Sequence, residues 1–259
     1  MIGIIGGSGL LQLVGLEDSS RKVARTKWGQ PSSALSFGRL GGHRVVFLAR
    51  HGYGHTIAPH NINYRANLWA LKEAGATKII ACAAVGGVRD DLLPGTLVVP
   101  DQIIDYTWGR AASYYSGEDQ PVMHVDFSDP FDASLRQLLI DAAILQDEKV
   151  VGDGCYGCTQ GPRFESAAEV RRYQRDGCDM LGMTAMPEAA LARELGLPYA
   201  TLALVVNRAA GKRPEGGAAS HEDIVTTVGA SMQRLLAVLI RAMSLDERAT
   251  QPPDVPPRV

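Results

Sequence analysis

Apolar runs that do not alternate constrain this chain most: Ile2–Ile5, Lys78–Ala84 and Tyr199–Val206. A strand with one wet face alternates apolar and polar side chains, whereas an unbroken run of this length reads as a strand covered on both faces. Strands of that kind need helices on either side, which predicts an α/β fold. Each run also leads to residues suited to a turn or a polar contact. Gly6-Gly7 follows the first, Gly86-Gly87 closes the second and Asn207 ends the third. A fold that gathers strand ends gathers these polar stations too.

The intervening segments agree. Leu35–Leu40 and Arg44–Ala49 flank Gly41-Gly42, the pattern of two antiparallel strands joined by a tight turn. Leu97–Pro100 and Gln102–Ile104 continue the sheet. Helices are expected over Asn61–Glu73, with Gly75 as the stop, and over Ser134–Leu145, Ser166–Arg175, Pro187–Leu195 and Ser220–Ser244. Ser166-Ala167-Ala168-Glu169 has the form of a capping box, and Pro187 suits a first helical turn. Residues 108–130 form the longest irregular stretch, and long loops in compact domains are usually functional or lie at an interface. The expected organisation is one domain over residues 1–246 followed by a Pro-rich, disordered tail over 247–259.

A chain of 259 residues with formal net charge -2 carries no basic footprint for nucleic acid and no polybasic patch for an anionic membrane. Met1–Gly7 lacks the basic start and longer apolar core of a signal peptide, and no run approaches the roughly 20 apolar residues of a membrane helix. The expected location is the cytoplasm, with neither nucleic acid nor membrane as a partner. Cys155-Tyr156-Gly157-Cys158 is a CxxC, which serves redox chemistry or half of a zinc site. No second pair stands at finger-like spacing and the segment reads as a strand. Reduced thiols and no metal site are expected.

Four stations carry chemistry. Gly6-Gly7-Ser8-Gly9 follows a strand, so its amides can converge on an anion while Ser8 adds a hydroxyl. It matches neither the dinucleotide fingerprint, since Gln12 stands where the third glycine belongs, nor a nucleophile elbow, since Leu10 replaces the last glycine. Arg50-His51 sits past an apolar strand. The guanidinium fork suits phosphate, and the imidazole adds a donor whose charge adjusts near neutral pH. Phe164-Glu165 offers an aromatic face beside a carboxylate, and the Asn207 amide donates and accepts at once, which suits a purine edge with O6 and N7. Singly, each station has a plain structural alternative: a tight turn, a surface salt bridge, a core phenylalanine beside an exposed glutamate, a turn residue. Together with Met183-Thr184 they describe a pocket for an oxyanion next to a flat, hydrogen-bonding ring. That points to an enzyme acting on a nucleoside with phosphate.

Ala49-Arg50-His51-Gly52, the stretch Asn63–Leu71, Gln160–Glu165 and Gly182–Glu188 together resemble the purine nucleoside phosphorylase and methylthioadenosine phosphorylase family, and the resemblance runs from Ile2 to about Leu245. It implies a single-domain αβα sandwich around a mixed, partly barrel-like sheet, assembled as a homotrimer or a dimer of trimers. It implies that Ser8, Arg50, His51, the backbone at Ala84 and Thr184 bind phosphate. Met183 would pack under the ribose and Phe164 along the purine face, with Glu165 and Asn207 at the purine edge and Arg208 and Ala209 beside them. Asn207, Arg50 and His51 are then the candidate catalytic residues. His124 matches a residue that reaches the neighbouring subunit's site near the 5′ end of the sugar. No metal or organic cofactor is implied, and inorganic phosphate is a co-substrate.

Departures from the family pattern bear on phosphate and on the substrate. Ala83 stands where the methylthioadenosine enzymes carry a hydroxyl residue. Enzymes for 6-aminopurines carry aspartates matching Asn207 and Ala209 and a serine matching Glu165, whereas Glu165 with Asn207 is similar to the 6-oxopurine pattern. A 6-oxopurine has an N1–H that a carboxylate accepts, while adenine presents a lone pair that a carboxylate repels. Such a mispairing is worth on the order of 10⁴-fold in favourable cases. His221 matches the 5′-hydroxyl position of inosine and guanosine phosphorylases, or is a helix N-terminal residue without a ligand. Leu204–Asn207 and Ala209–Lys212 look like methylthioinosine phosphorylase. The expected activity is reversible phosphorolysis of inosine- or guanosine-type nucleosides in purine salvage, with S-methyl-5′-thioinosine as the alternative substrate. A methylthioadenosine phosphorylase, a hydrolytic nucleosidase and a non-catalytic purine sensor are the competing readings.

Overall fold

The computed structural model describes residues 1–7, 10, 13–115, 117, 121–212 and 221–250, the side chains of 221–225 and 248–250 excepted. The strands are β1 (Ile2–Gly6), β2 (Leu16–Lys22), β3 (Leu35–Leu40), β4 (His43–Ala49), β5 (Lys78–Gly87), β6 (Leu97–Val98), β7 (Gln102–Asp105), β8 (Val150–Val151), β9 (Cys155–Cys158), β10 (Met180–Gly182) and β11 (Tyr199–Arg208). The α-helices are α1 (Tyr64–Glu73), α2 (Ala133–Ile144), α3 (Ala167–Arg175), α4 (Ala185–Glu194) and α5 (His221–Thr250).

The three apolar runs lie side by side at the centre of one mixed sheet. β5 is the hub: β1 runs parallel to Lys78–Ala81, and β11 runs parallel along the opposite edge from Ile79 to Gly87. β10 returns antiparallel beside Gly86-Gly87, on the edge that β1 has left. β1 and β10 therefore share one edge of β5 and part around Cys82–Val85. From the hub the sheet continues through β4, β3 and β2 on one side and through β9 and β7 on the other, with β11, β6 and β8 as a branch. The sheet is mixed, as expected, and it does not close into a barrel.

Alternate residues of the same runs supply two separate cores, which is why the runs are apolar throughout. Ile79, Ala81, Ala83 and Val85 face a cluster with Leu68 and Leu71 of α1 and Ala189 and Leu191 of α4. Ile80, Cys82, Leu202 and Leu204 face a second cluster with Leu135 and Leu139 of α2 and Leu235, Val238 and Leu239 of α5. This is the αβα layering expected from the sequence.

Local signals hold where they were strong. Gly41 and Gly42 both adopt positive φ, +56° and +84°, and join β3 to β4 in the tight two-residue turn expected there. The Ser166 hydroxyl accepts from the Glu169 amide at 3.2 Å and the Glu169 carboxylate accepts from the Ser166 amide at 2.8 Å, completing the capping box of α3. α4 is broken at Met186, which takes an extended conformation, so the regular helix starts at Pro187 as expected.

β2 and α5 differ most from expectation. β2, Leu-Glu-Asp-Ser-Ser-Arg-Lys, is an exposed edge strand whose charges leave no apolar period to read; charged edges of this kind discourage pairing with other chains. α5 runs on to Thr250, through residues read as the start of the tail, while 251–259 lie outside the described residues. Its stretch Thr226–Glu247 is long and apolar enough by length and composition to cross a membrane, contrary to the reading of run lengths. Val228, Leu235, Val238, Leu239, Ala242 and Met243 of that stretch are instead packed into the second core.

Candidate active site

The gap between β1 and β10 on the edge of β5 is where the turn after β1 meets Arg50. β1 ends at Gly6, whose carbonyl accepts from the Arg50 amide at 3.0 Å, so the glycine turn and the end of β4 are tied together. The Arg50 guanidinium is only 1% exposed. Its Nε and Nη2 donate to the two oxygens of Glu188 at 2.8 and 3.0 Å, and Nη1 donates to the Cys82 carbonyl on β5 at 3.2 Å. A guanidinium has five N–H groups, so one remains on each of Nη1 and Nη2 among the described contacts. Gly7 lies directly against this group: a Cβ there would stand 3.0 Å from Arg50 Nη1 and 2.6 Å from the Cys82 carbonyl oxygen. Only a glycine lets the turn approach the cation so closely.

Glu188 is fully buried in α4, and its Oε1 also accepts from the Tyr199 hydroxyl at 2.9 Å. Burial opposes the charge on Arg50. The charge and hydrogen bonds of Glu188, with Tyr199 and Tyr64 nearby, outweigh it and raise the guanidinium pKa. Arg50 is thus a fixed cation with a defined orientation, which suits it to an anion. Neither Glu188 nor Tyr199 was assigned a role from the sequence. The signal was a lone carboxylate among small apolar residues of a helix, Ala-Met-Pro-Glu-Ala-Ala, and its partner is 138 positions away.

His51 differs from the expectation of an adjustable donor. Burial first, and then the neighbouring Arg50 charge, lower its pKa to about 4, so the ring is neutral at pH 7. Nδ1 lies 2.9 Å from the Ile57 carbonyl, a contact that puts the ring proton on Nδ1. Nε2 is then an acceptor, able to take a hydrogen bond from a protonated phosphate oxygen.

β10 carries the chain from the base side to this anion side. Leu181 pairs with Gly86, which also pairs with Asn207 of β11, and Gly182 pairs with Cys158 of β9. Beyond them Met183-Thr184 run back toward Ala84. Gly182 is required here, since a Cβ would fall 1.9 Å from the buried Tyr156 hydroxyl. Thr184 is buried at the start of α4; its hydroxyl makes no capping bond and lies beside the buried Tyr156 hydroxyl. Met183 sits over Gly161, where a Cβ would meet its sulfur at 2.5 Å.

On the base side, a register shift in β11 between Val205 and Asn207 turns the Asn207 side chain at the strand end, where its Nδ2 donates to the Arg208 carbonyl at 2.8 Å. Glu165 precedes α3 and is half-buried; its Oε1 accepts from the Thr159 hydroxyl at 2.6 Å. Phe164 is 51% exposed, so its ring is not a core residue. Arg110, from the long loop, binds the two sides together. It donates to the carbonyls of Met183 at 2.9 Å, Met186 at 2.6 Å and Gln160 at 2.9 Å, and to the Tyr64 hydroxyl at 3.2 Å. Arg110 and Thr159 were missed because carbonyl recognition leaves no pattern in a sequence.

Other expected residues fall elsewhere. Arg208 is directed to Asp90, with Nη2–Oδ1 at 3.0 Å and Nη1 on the Asp90 carbonyl at 2.9 Å, and so straps the end of β11 rather than facing the ring. Ala209 is buried in a small cluster with Val88, Val170, Cys178 and Leu181. His124 is exposed on the long loop. Ser8 and the side chain of His221 lie outside the described residues. Cys155 and Cys158 sit three apart on one strand and face opposite ways: Cys158 is buried under Met186, and Cys155 interacts with Cys178 instead. All four cysteines are free thiols.

A family model described as the Phosphorylase superfamily matches residues 1–244. A probable S-methyl-5′-thioinosine phosphorylase of Xanthomonas campestris is 50% identical over 210 residues, covering 81% of this chain and 84% of that protein. The 6-oxopurine nucleoside phosphorylase of Pyrococcus furiosus is 43% identical over 249 residues, covering 94% and 92%. The solved methylthioadenosine phosphorylase of Schistosoma mansoni in complex with adenine superposes with a TM-score of 0.89 at 33% identity, covering 95% of this chain and 92% of that one. Sequence and fold agree over nearly the whole length, and the chain belongs to the Phosphorylase superfamily.

Proposed function

We propose that the protein is a 6-oxopurine nucleoside phosphorylase that cleaves inosine- or guanosine-type nucleosides with inorganic phosphate, releasing the base and ribose 1-phosphate. What supports this reading is the presence of Glu165, just before α3, and Asn207, at the end of β11, in one chain with a buried Arg50 oriented for an anion. A carboxylate there accepts N1–H of a 6-oxopurine, and the amide donates to N7 or O6.

The mechanism follows from what these groups can do. Arg50, Thr184, Ser8 and the backbone at Gly7 and Ala84 hold phosphate beneath C1′. His51 Nε2 accepts the hydrogen of monohydrogen phosphate. The C1′–N9 bond lengthens and the sugar takes on oxocarbenium character, which the adjacent dianion stabilises. A phosphate oxygen then bonds to C1′, and overall the proton of the phosphate ends on the base. Asn207 stabilises the departing base at N7 while Glu165 anchors N1. No metal or organic cofactor enters this scheme.

S-methyl-5′-thioinosine is the second reading, supported by the 50% identical relative, a probable S-methyl-5′-thioinosine phosphorylase. It shares the base and differs only at the 5′ group, where His221 favours a hydroxyl. A cytoplasmic homotrimer or dimer of trimers, with His124 completing a neighbour's pocket, belongs to the same proposal. The test is release of base from inosine, guanosine, methylthioinosine and methylthioadenosine at equal concentration. Turnover of the first two supports the main reading. Preference for methylthioinosine keeps the base assignment and removes His221 from it, and turnover of methylthioadenosine alone overturns both.

A further inference from the structure

Glu165 is a flexible, half-buried side chain on the rim of the site, and the neighbouring Phe164 is largely exposed. The group that fixes it is of the opposite kind. Thr159 follows the last residue of β9 and is 5% exposed. Its amide donates to the Gly182 carbonyl at 2.8 Å, its own carbonyl accepts from Arg110 at 3.4 Å, and its β-branch restricts χ1. Thr159 is therefore a rigid post, pinned to β10 on one side and to the long loop on the other.

The hydroxyl has one proton and two acceptors within reach. Glu165 Oε1 is at 2.6 Å and the Gly182 carbonyl at 3.3 Å. The shorter contact has the length of a charge-assisted O–H···O⁻ bond, and it takes the proton. Among the described residues no other hydrogen bond engages this carboxylate. Oε1 is thus tied, and Oε2 remains to meet a ligand.

We propose that Thr159 is a positioning residue for base selection, holding the Glu165 carboxylate so that one defined oxygen faces N1 of the purine. The inference rests on the 6-oxopurine reading of the site. A base that brings N1–H finds an acceptor already in place and avoids the loss of side-chain freedom that ordering a glutamate entails. A base with a bare N1 gains nothing from that oxygen. A tied carboxylate also cannot swing to take the N–H groups of a 6-amino substituent.

The discriminating substrates are inosine, which has N1–H, and 6-chloropurine riboside, which has none. Thr159→Val keeps the shape and removes the donor. It should lower kcat/KM for inosine about tenfold, mainly through KM, and leave 6-chloropurine riboside within about twofold. Thr159→Ser restores the hydroxyl and should return the inosine value to near wild type, and Thr159→Ala, which also removes the donor, carries the test if the valine variant does not fold. Equal losses on both substrates would make Thr159 merely structural, and no loss on either would remove it from selection; both results overturn the proposal. A wild-type protein inactive on every 6-oxopurine nucleoside ends the functional reading and this inference together, and that result appears before any variant is made.

Discussion

The proposed anion side and base side of the site are built by different means. On the anion side a fully buried guanidinium is locked by a fully buried carboxylate, itself held by Tyr199, and a glycine is packed against the cation. On the base side a half-buried carboxylate is steered by one hydroxyl, beside an exposed phenylalanine. The first arrangement combines binding with folding, because any loosening leaves a charge stranded in the core. The second leaves the recognition group adjustable at little expense to the fold. In the proposed function that division has phosphate met by the core and the purine met by the rim.

The comparison predicts opposite responses to the same kind of substitution. Glu188→Gln strands the Arg50 charge, so it should lower stability by about 3–5 kcal/mol and kcat/KM by on the order of 10³, with phosphate KM raised. Denaturant unfolding and phosphate titration read both. Glu165→Gln should cut kcat/KM for inosine by roughly 10²–10³ while unfolding stays within about 0.5 kcal/mol of wild type. If Glu165→Gln proved as destabilising as Glu188→Gln, the division between core and rim would be wrong.

His51 gives a pH signature of the buried side. Its folded pKa lies below the unfolded value, so its contribution to stability is complete above pH 6.5 and is lost as pH falls from there toward about 4. Over that window stability should fall by at most about 1.4 kcal/mol per pH unit on account of this group. His51→Asn should flatten that part of the profile, and an unchanged slope would show that other groups set it.

Arg110 connects the two sides, so its effect should be smaller and shared. Arg110→Lys keeps the charge and loses the fork that reaches several carbonyls. It should lower kcat by about tenfold and stability by about 1–2 kcal/mol. A change confined to phosphate KM or to nucleoside KM would assign Arg110 to one side only.

The buried sheet was legible because both faces of β1, β5 and β11 are covered, which leaves unbroken apolar runs. The stations were legible because glycine, arginine, glutamate and asparagine at strand ends have few other uses in combination. The supports were not. Glu188 meets Arg50 only through the fold, Arg110 and Thr159 act on carbonyls and a carboxylate brought together by β9 and β10, and the charged edge strand β2 has no period to read. The direction of Arg208 was not legible for a related reason: a position beside Asn207 says nothing about which way a strand-end side chain points, and it turns to Asp90.

The most direct test is hypoxanthine release from inosine and methylthioinosine as phosphate is titrated. Saturable dependence on phosphate is expected, with one sugar 1-phosphate formed for each base released. Base release at an undiminished rate without phosphate, yielding free sugar, would contradict it.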